Sequence, residues 1–265
     1  MNHQFQSYYL DNPLVKGRIF DIFEPEKMTK DTAVFFVHGG GWHAGSRAFS
    51  HEFMQELNNR GWLAASADYR LSGVTAFDQL QDIREAYDRF VSWLKQHKRP
   101  LKIAVYGESA GSHLASLLLF ADPGECGETC RLENAWVKPY QGILHATPYD
   151  FLPKDWMMPQ FWATMQGIAG KPYCEDPGRY ERLSLKNHVR KNNPQTFFME
   201  AGLEHLFPSE YTRKIAEKHR AMGIRSHWKV YPRMEHGFFY ELKRPGQLDA
   251  FEDFTRFLDG KLETF

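Results

Sequence analysis

The sequence predicts one α/β domain on a mostly parallel sheet flanked by helices, with a short insertion near the middle. Two observations predict it. Short β-rich runs alternate with longer segments of helical periodicity, as in repeated strand–helix–strand units. Several of the runs are compact and apolar, and two of them lead straight into glycine-rich turns. Taken in order, Ala33–Val37 is a strand that runs into His38-Gly39-Gly40-Gly41-Trp42, and a helical segment follows over Phe49–Asn59 and stops at Gly61. Trp62–Ala67 is the next strand, ending in Asp68-Tyr69-Arg70. Phe77, Leu80, Ile83, Tyr87, Phe90 and Leu94 then recur every three or four residues, which gives a helix one apolar face before Pro100 closes it. Ile103–Tyr106 is a third strand, leading through Gly107-Glu108-Ser109-Ala110-Gly111 into a small-residue helix over Ser112–Ala121, and Gln141–Ala146 is a buried strand. Residues 151–185 break the alternation with four prolines and a dense set of Trp, Met, Phe and Tyr. Strand Thr196–Met199, helix Ser209–Met222, strand His227–Tyr231 and a last amphipathic helix bearing Leu248, Phe251, Phe254 and Leu258 resume it.

Composition removes several classes of function. The 265 residues carry 33 Lys+Arg and 33 Asp+Glu, so nothing marks a surface for nucleic acid or an anionic membrane. The longest nearly apolar stretch, Leu114–Ala121, is far short of the ~20 residues that span a bilayer. The first residues lack the basic start and apolar run of a secretory signal, and a cytoplasmic protein is expected. Three cysteines are too few for a disulfide framework. Cys126 and Cys130, with Cys174 as their single thiol companion, read as free cytosolic thiols, not metal ligands. The 21 phenylalanines read first as core. Oligomeric state leaves no mark in the sequence.

The chemistry sits at the strand ends. A Gly-x-Ser-x-Gly between strand and helix makes a turn that needs small flanking residues and presents its serine at a helix N-terminus. Ser109 is therefore the candidate nucleophile. A serine hydroxyl needs a general base at neutral pH. Of twelve histidines, His236 stands just beyond strand His227–Tyr231 and is followed by Gly237, where a loop can swing over the strand ends. His113, one turn past Ser109, is expected to pack under the turn. An acid must hold the base. Glu204 lies on the loop beyond strand Thr196–Met199, far enough ahead of His236 for one helix and one strand to intervene, in the order serine, acid, histidine. Asp150, just past strand Gln141–Ala146, is the rival acid. The three glycines after His38 let the backbone approach a developing oxyanion and point N–H groups at it, with the Ala110 N–H as a second donor. No nucleotide-binding glycine pattern is present. Asp68 is expected in an ion pair or backbone contact that shapes its loop.

His38-Gly39-Gly40-Gly41-Trp42 with Gly45, then Asp68-Tyr69-Arg70-Leu71, then Gly107-Glu108-Ser109-Ala110-Gly111-Ser112-His113-Leu114-Ala115 resemble the acetyl-esterase and hormone-sensitive-lipase-like carboxylesterases. The resemblance runs from about residue 18 to 258. It implies an eight-stranded α/β-hydrolase fold over residues 1–265 and hydrolysis of short-chain esters without metal or cofactor. Ser109 would be nucleophile, His236 base, and Gly40, Gly41 and Ala110 the oxyanion donors; in formamidase-like relatives the residue at Trp42 replaces one glycine. Two departures stand out. The acid here is Glu where the family usually has Asp, and a long N-terminal cap is not expected, so that 151–185 would cover the site instead. Within that insertion, Trp156, Met157, Met158, Phe161, Trp162, Met165 and Tyr173 either pack it onto the domain or line an apolar pocket, with Trp42 and Trp162 as the substrate-binding candidates. The expected substrate is a small ester, including O-acetyl or feruloyl groups on carbohydrates. Hydrolysis of amides by the same residues is the alternative, and a non-catalytic ligand binder is a further one.

Overall fold

A computed structural model describes residues 5–10 and 17–263. The strands are β1 (Phe5–Tyr9), β2 (Ile19–Phe23), β3 (Thr32–Val37), β4 (Ala64–Ala67), β5 (Lys102–Glu108), β6 (Gln141–His145), β7 (Gln195–Leu203) and β8 (Ser226–Glu235). They form a single sheet in the order β1-β2-β4-β3-β5-β6-β7-β8. The β1–β2 and β2–β4 pairs are antiparallel and all others are parallel. The helices are α1 (His51–Asn59), α2 (Ala76–Gln96), α3 (Ala110–Phe120), α4 (Pro159–Ala169), α5 (Pro177–Leu183), α6 (Glu210–Ala221) and α7 (Pro245–Leu258).

Both faces of the sheet are covered, which is why the central strands read as unbroken apolar runs. In β3, Ala33, Phe35 and Val37 face one cluster with Leu80, Phe90 and Leu114. Val34 and Phe36 face the other, with Met54, Phe251 and Phe254. Phenylalanine supplies much of both clusters, and among the described residues the exposed ones are Phe5 and Phe49. Thr75 caps α2 with its hydroxyl while the Asp78 carboxylate accepts the Thr75 N–H at 2.7 Å. Residues 151–185 hold α4 and α5, each begun by a proline at its first turn.

The six strands read from the sequence are all present, β1 and β2 are additional, and three of the six ends lie further on than the sequence suggests. β5 continues to Glu108, β7 to Leu203 and β8 to Glu235, so Ser109, Glu204 and His236 each follow a last strand residue directly. Polar residues at those ends hide the continuation, because strand pairing in this parallel region is imposed by neighbours across the sheet.

Two glycines decide how closely β3 and α3 pack. A Cβ at Gly111 would stand 2.3 Å from the carbonyl oxygens of both Val37 and His38, and one at Gly107 would stand 2.4 Å from the Gly111 oxygen. Gly111→Ala should therefore destabilise the fold by roughly 3 kcal/mol or more, since backbone has to move. Gly41→Ala should cost only about 1–2 kcal/mol, the price of a left-handed residue with open space around it. Urea melts of the two variants check the difference; equal stabilities would contradict it.

Three buried histidines make the fold acid-sensitive. Burial pushes His113 down to about 4, His145 to about 3 and His219 to about 4 from an ordinary 6.5. Between those values the unfolded chain binds protons that the folded chain refuses, so stability falls as pH drops below about 6.5. His38 and His227 are held down in the same way, whereas groups held above their ordinary values, His236, Asp82, Glu108 and Glu200, work in the opposite sense. The fall in melting temperature between pH 7 and pH 5 should therefore be smaller in His219→Asn than in wild type, and an equal change in the two would refute the assignment of His219 as a neutral buried imidazole.

Candidate active site

The turn between β5 and α3 holds Ser109 at φ 52° and ψ −120°, a strained conformation for any residue with a side chain. Its N–H donates to the His145 carbonyl at 2.9 Å, and its own carbonyl accepts the His113 N–H at 3.0 Å, so the strain is held from both sides. Ala110 is the first residue of α3, and its N–H therefore has no acceptor within the helix. On the facing loop Gly40 has φ 118° and Gly41 φ 59°. A Cβ at Gly40 would stand 2.2 Å from the Ala44 oxygen, so the tight turn there requires glycine. The Gly40 carbonyl accepts the N–H groups of His43 and Ala44, at 3.2 and 3.0 Å.

Ser109, His236 and Glu204 meet. His236 Nε2 lies 2.9 Å from Ser109 Oγ, and His236 Nδ1 lies 2.7 Å from Glu204 Oε2. An ionised carboxylate can only accept, which puts the proton on Nδ1 and leaves Nε2 to accept the serine hydroxyl. The other carboxylate oxygen, Oε1, accepts the N–H groups of His205, Leu206 and Phe207 at 2.9, 2.7 and 3.4 Å. Burial opposes the charge on Glu204, but the His236 hydrogen bond and charge and the Leu206 and Phe207 N–H groups outweigh it and hold the carboxyl below its ordinary range. Burial likewise opposes the imidazolium, and the Glu204 hydrogen bond with the charges of Glu204 and Glu108 outweighs it, so His236 sits above its ordinary value.

Asp150, the rival acid, is engaged elsewhere. It is buried, with Oδ2 3.0 Å from Lys154 Nζ and 3.1 Å from Lys186 Nζ, and its Oδ1 accepts the Leu152 N–H. Asp68 receives the Arg47 guanidinium and the Arg47 backbone N–H, each at 2.6 Å. Among the substrate-binding candidates, Trp42 requires correction. Its indole is 1% exposed, packs against His113, Phe151 and Phe161, and donates Nε1–H to His113 Nδ1 at 3.2 Å. Its backbone is left-handed, with φ 65°. Trp162 is half-buried and meets Tyr173 and Tyr180, the packing role of the two considered. The ring that reaches the base is Phe207, absent from the sequence reading, whose centroid is 6.0 Å from His236 and 5.2 Å from Phe161. Its position three residues before the start of α6, on the same loop as Glu204, is its one available signal.

The family model described as BD-FAE matches residues 20–218. A probable carboxylic ester hydrolase, LipM of Mycobacterium tuberculosis, is 27% identical over 205 residues, covering 72% of this chain and 45% of that one. A kynurenine formamidase of Salmo salar is 25% identical over 139 residues, covering 52% of this chain and 44% of that one. The chain thus spans about half the length of these curated relatives. Among solved structures, esterase B from Lactobacillus rhamnosis superposes with a TM-score of 0.78 at 18% identity, over 97% of this chain and 85% of that one. At that identity the likeness shows the fold, and the fold is that of the α/β-hydrolases.

Proposed function

The chain belongs to the BD-FAE family of α/β-hydrolases, and from that premise we propose that it is a serine carboxylesterase hydrolysing short-chain acyl esters through an acyl-enzyme. The observation that carries the proposal is the hydrogen-bonded line from Glu204 through His236 to Ser109 at the strained turn. Ser109 Oγ attacks the ester carbonyl while His236 Nε2 takes its proton, and the charge arising on the carbonyl oxygen meets the N–H groups of Gly40, Gly41 and Ala110. Glu204 keeps Nδ1 protonated and stabilises the imidazolium. His236 then returns the proton to the departing alcohol. In the second half, His236 deprotonates a water that attacks the acyl carbon, and Ser109 leaves with its proton restored.

Phe161 and Phe207 support a compact apolar wall beside the base, suited to a small acyl group or a flat aromatic one. O-acetyl and feruloyl esters of carbohydrates are the finer reading. The unpaired cysteines support a reducing compartment, and no helix among the described residues is long and apolar enough to cross a membrane. The substrate is a small molecule, and nucleic acid is not expected as a partner. A second reading, amide hydrolysis by the same residues, draws on the likeness to a formamidase. Hydrolysis of 4-nitrophenyl acetate through octanoate, beside matched anilides, tests both. Activity falling with chain length supports the esterase; faster turnover of anilides than of esters would overturn it in favour of the amidase.

A further inference from the structure

The side chain between Gly107 and Ser109 takes no part in the chemistry above. Glu108 closes β5, and its carboxyl lies between two loops from distant parts of the chain. Oε2 stands 2.0 Å from where a Cβ at Gly39 would be, and Oε1 stands 2.9 Å from the equivalent point at Gly237. A side chain at either glycine would displace the carboxyl. The Gly39 N–H also hydrogen bonds to it. Gly39 leads directly into Gly40 and Gly41, and Gly237 follows His236. One carboxyl, on the neighbour of the nucleophile, therefore lies against the loop of oxyanion donors on one side and the turn bearing the base on the other.

Its charge is also felt. Burial and the Glu204 charge work against ionisation of Glu108 and outweigh the His236 charge and the Gly39 N–H, so its carboxyl sits above its ordinary range. Ionised, Glu108 adds to Glu204 in favouring protonated His236. The other titratable groups here are Tyr69 and Tyr106 beside Glu108, Glu200 beside Glu204, and His145 and His205 beside His236. Burial keeps both tyrosines and Glu200 protonated and His145 neutral. Glu204, and Glu108 where it is ionised, thus supply the negative charge at the base.

Resting on the serine-hydrolase reading, we infer that Glu108 is a positioning residue: its carboxylate ties the Gly39 end of the oxyanion loop to the His236–Gly237 turn and keeps donors, nucleophile and base in register. Wild type, Glu108→Ala and Glu108→Gln are compared on 4-nitrophenyl acetate from pH 5.5 to 9. Fluorophosphonate labelling of Ser109 and thermal melts are run on the same samples. Misplaced groups lower the rate of chemistry more than binding, so Glu108→Ala should lose roughly 10–100-fold in kcat with KM changed by less than about threefold. Glu108→Gln keeps an oxygen for the Gly39 N–H and should recover most of that loss. In both variants the acid limb of kcat/KM should move to lower pH, because a negative charge near His236 is gone. If Glu108→Ala does not fold, the isosteric Gln variant carries the test through its acid limb. A folded Glu108→Ala with wild-type kcat, or an acid limb that stays in place in either variant, overturns the inference. A wild type that neither turns over nor labels overturns the serine-hydrolase reading together with this one. A wild type that labels no faster than Glu108→Ala overturns this one alone.

Discussion

Ser109→Ala should lower ester hydrolysis by about 10^4-fold or more, because no other group can form the acyl-enzyme and His236 has no proton to take. The fold should be untouched. Ser109 makes its structural hydrogen bonds through its backbone, and alanine tolerates φ 52° no better and no worse than serine does. Ser109→Gly separates the two effects. It should be just as inactive, yet more stable by roughly 1 kcal/mol, since glycine relieves the strained turn. Turnover assays beside urea melts of the three proteins test this. Residual activity of Ser109→Ala above about 1% of wild type would remove Ser109 from the proposed mechanism.

Glu204→Gln should cost on the order of 10^3-fold in kcat while leaving KM within a few-fold. The amide is isosteric, but it withdraws the charge that stabilises the imidazolium, and its NH2 group can turn toward Nδ1 and favour the wrong tautomer. The pH profile fixes the sign. His236 acts as base when deprotonated, and its present environment raises its pKa, so the acid limb of wild-type kcat/KM should lie above pH 6.5. Without the Glu204 charge the limb should shift to lower pH. Glu204→Asp keeps the charge but is one methylene short of a 2.7 Å contact, and should lose roughly 10-fold with the limb held near its wild-type place. A Glu204→Gln enzyme with full kcat would transfer the role of acid to another group.

Some of this site was open to reading in one dimension. Ser109 could be named because its turn is local: a Cβ at Gly107 would meet the Gly111 carbonyl, within five positions. The glycines at 40 and 41 were readable for the same reason. The acid was harder. Glu204 and Asp150 both follow strands on the same side of β5, and the choice between them rests on where each loop turns next. Asp150 turns into the insertion and meets Lys154 and Lys186, while Glu204 is fixed by three N–H groups of its own loop and aimed at the base. Trp42 is a substrate-binding candidate only through the resemblance, and packing against His113, Phe151 and Phe161 buries its indole.

By itself the sequence determined the α/β alternation, the strand–turn–helix that carries Ser109, the glycine loop facing it and the position of His236 beyond the last strand. These follow from apolar periodicity and backbone sterics, which act between residues a few positions apart. Only the tertiary structure decided that Glu204 holds His236, that Phe207 reaches the base, and that Glu108 joins two loops. The contacts involved run between residues 29 and 129 positions apart, and their existence depends on strand order and loop path. A linear pattern of side chains does not contain that information, because a carboxylate becomes an acid partner only where packing delivers it within hydrogen-bonding distance of a particular nitrogen.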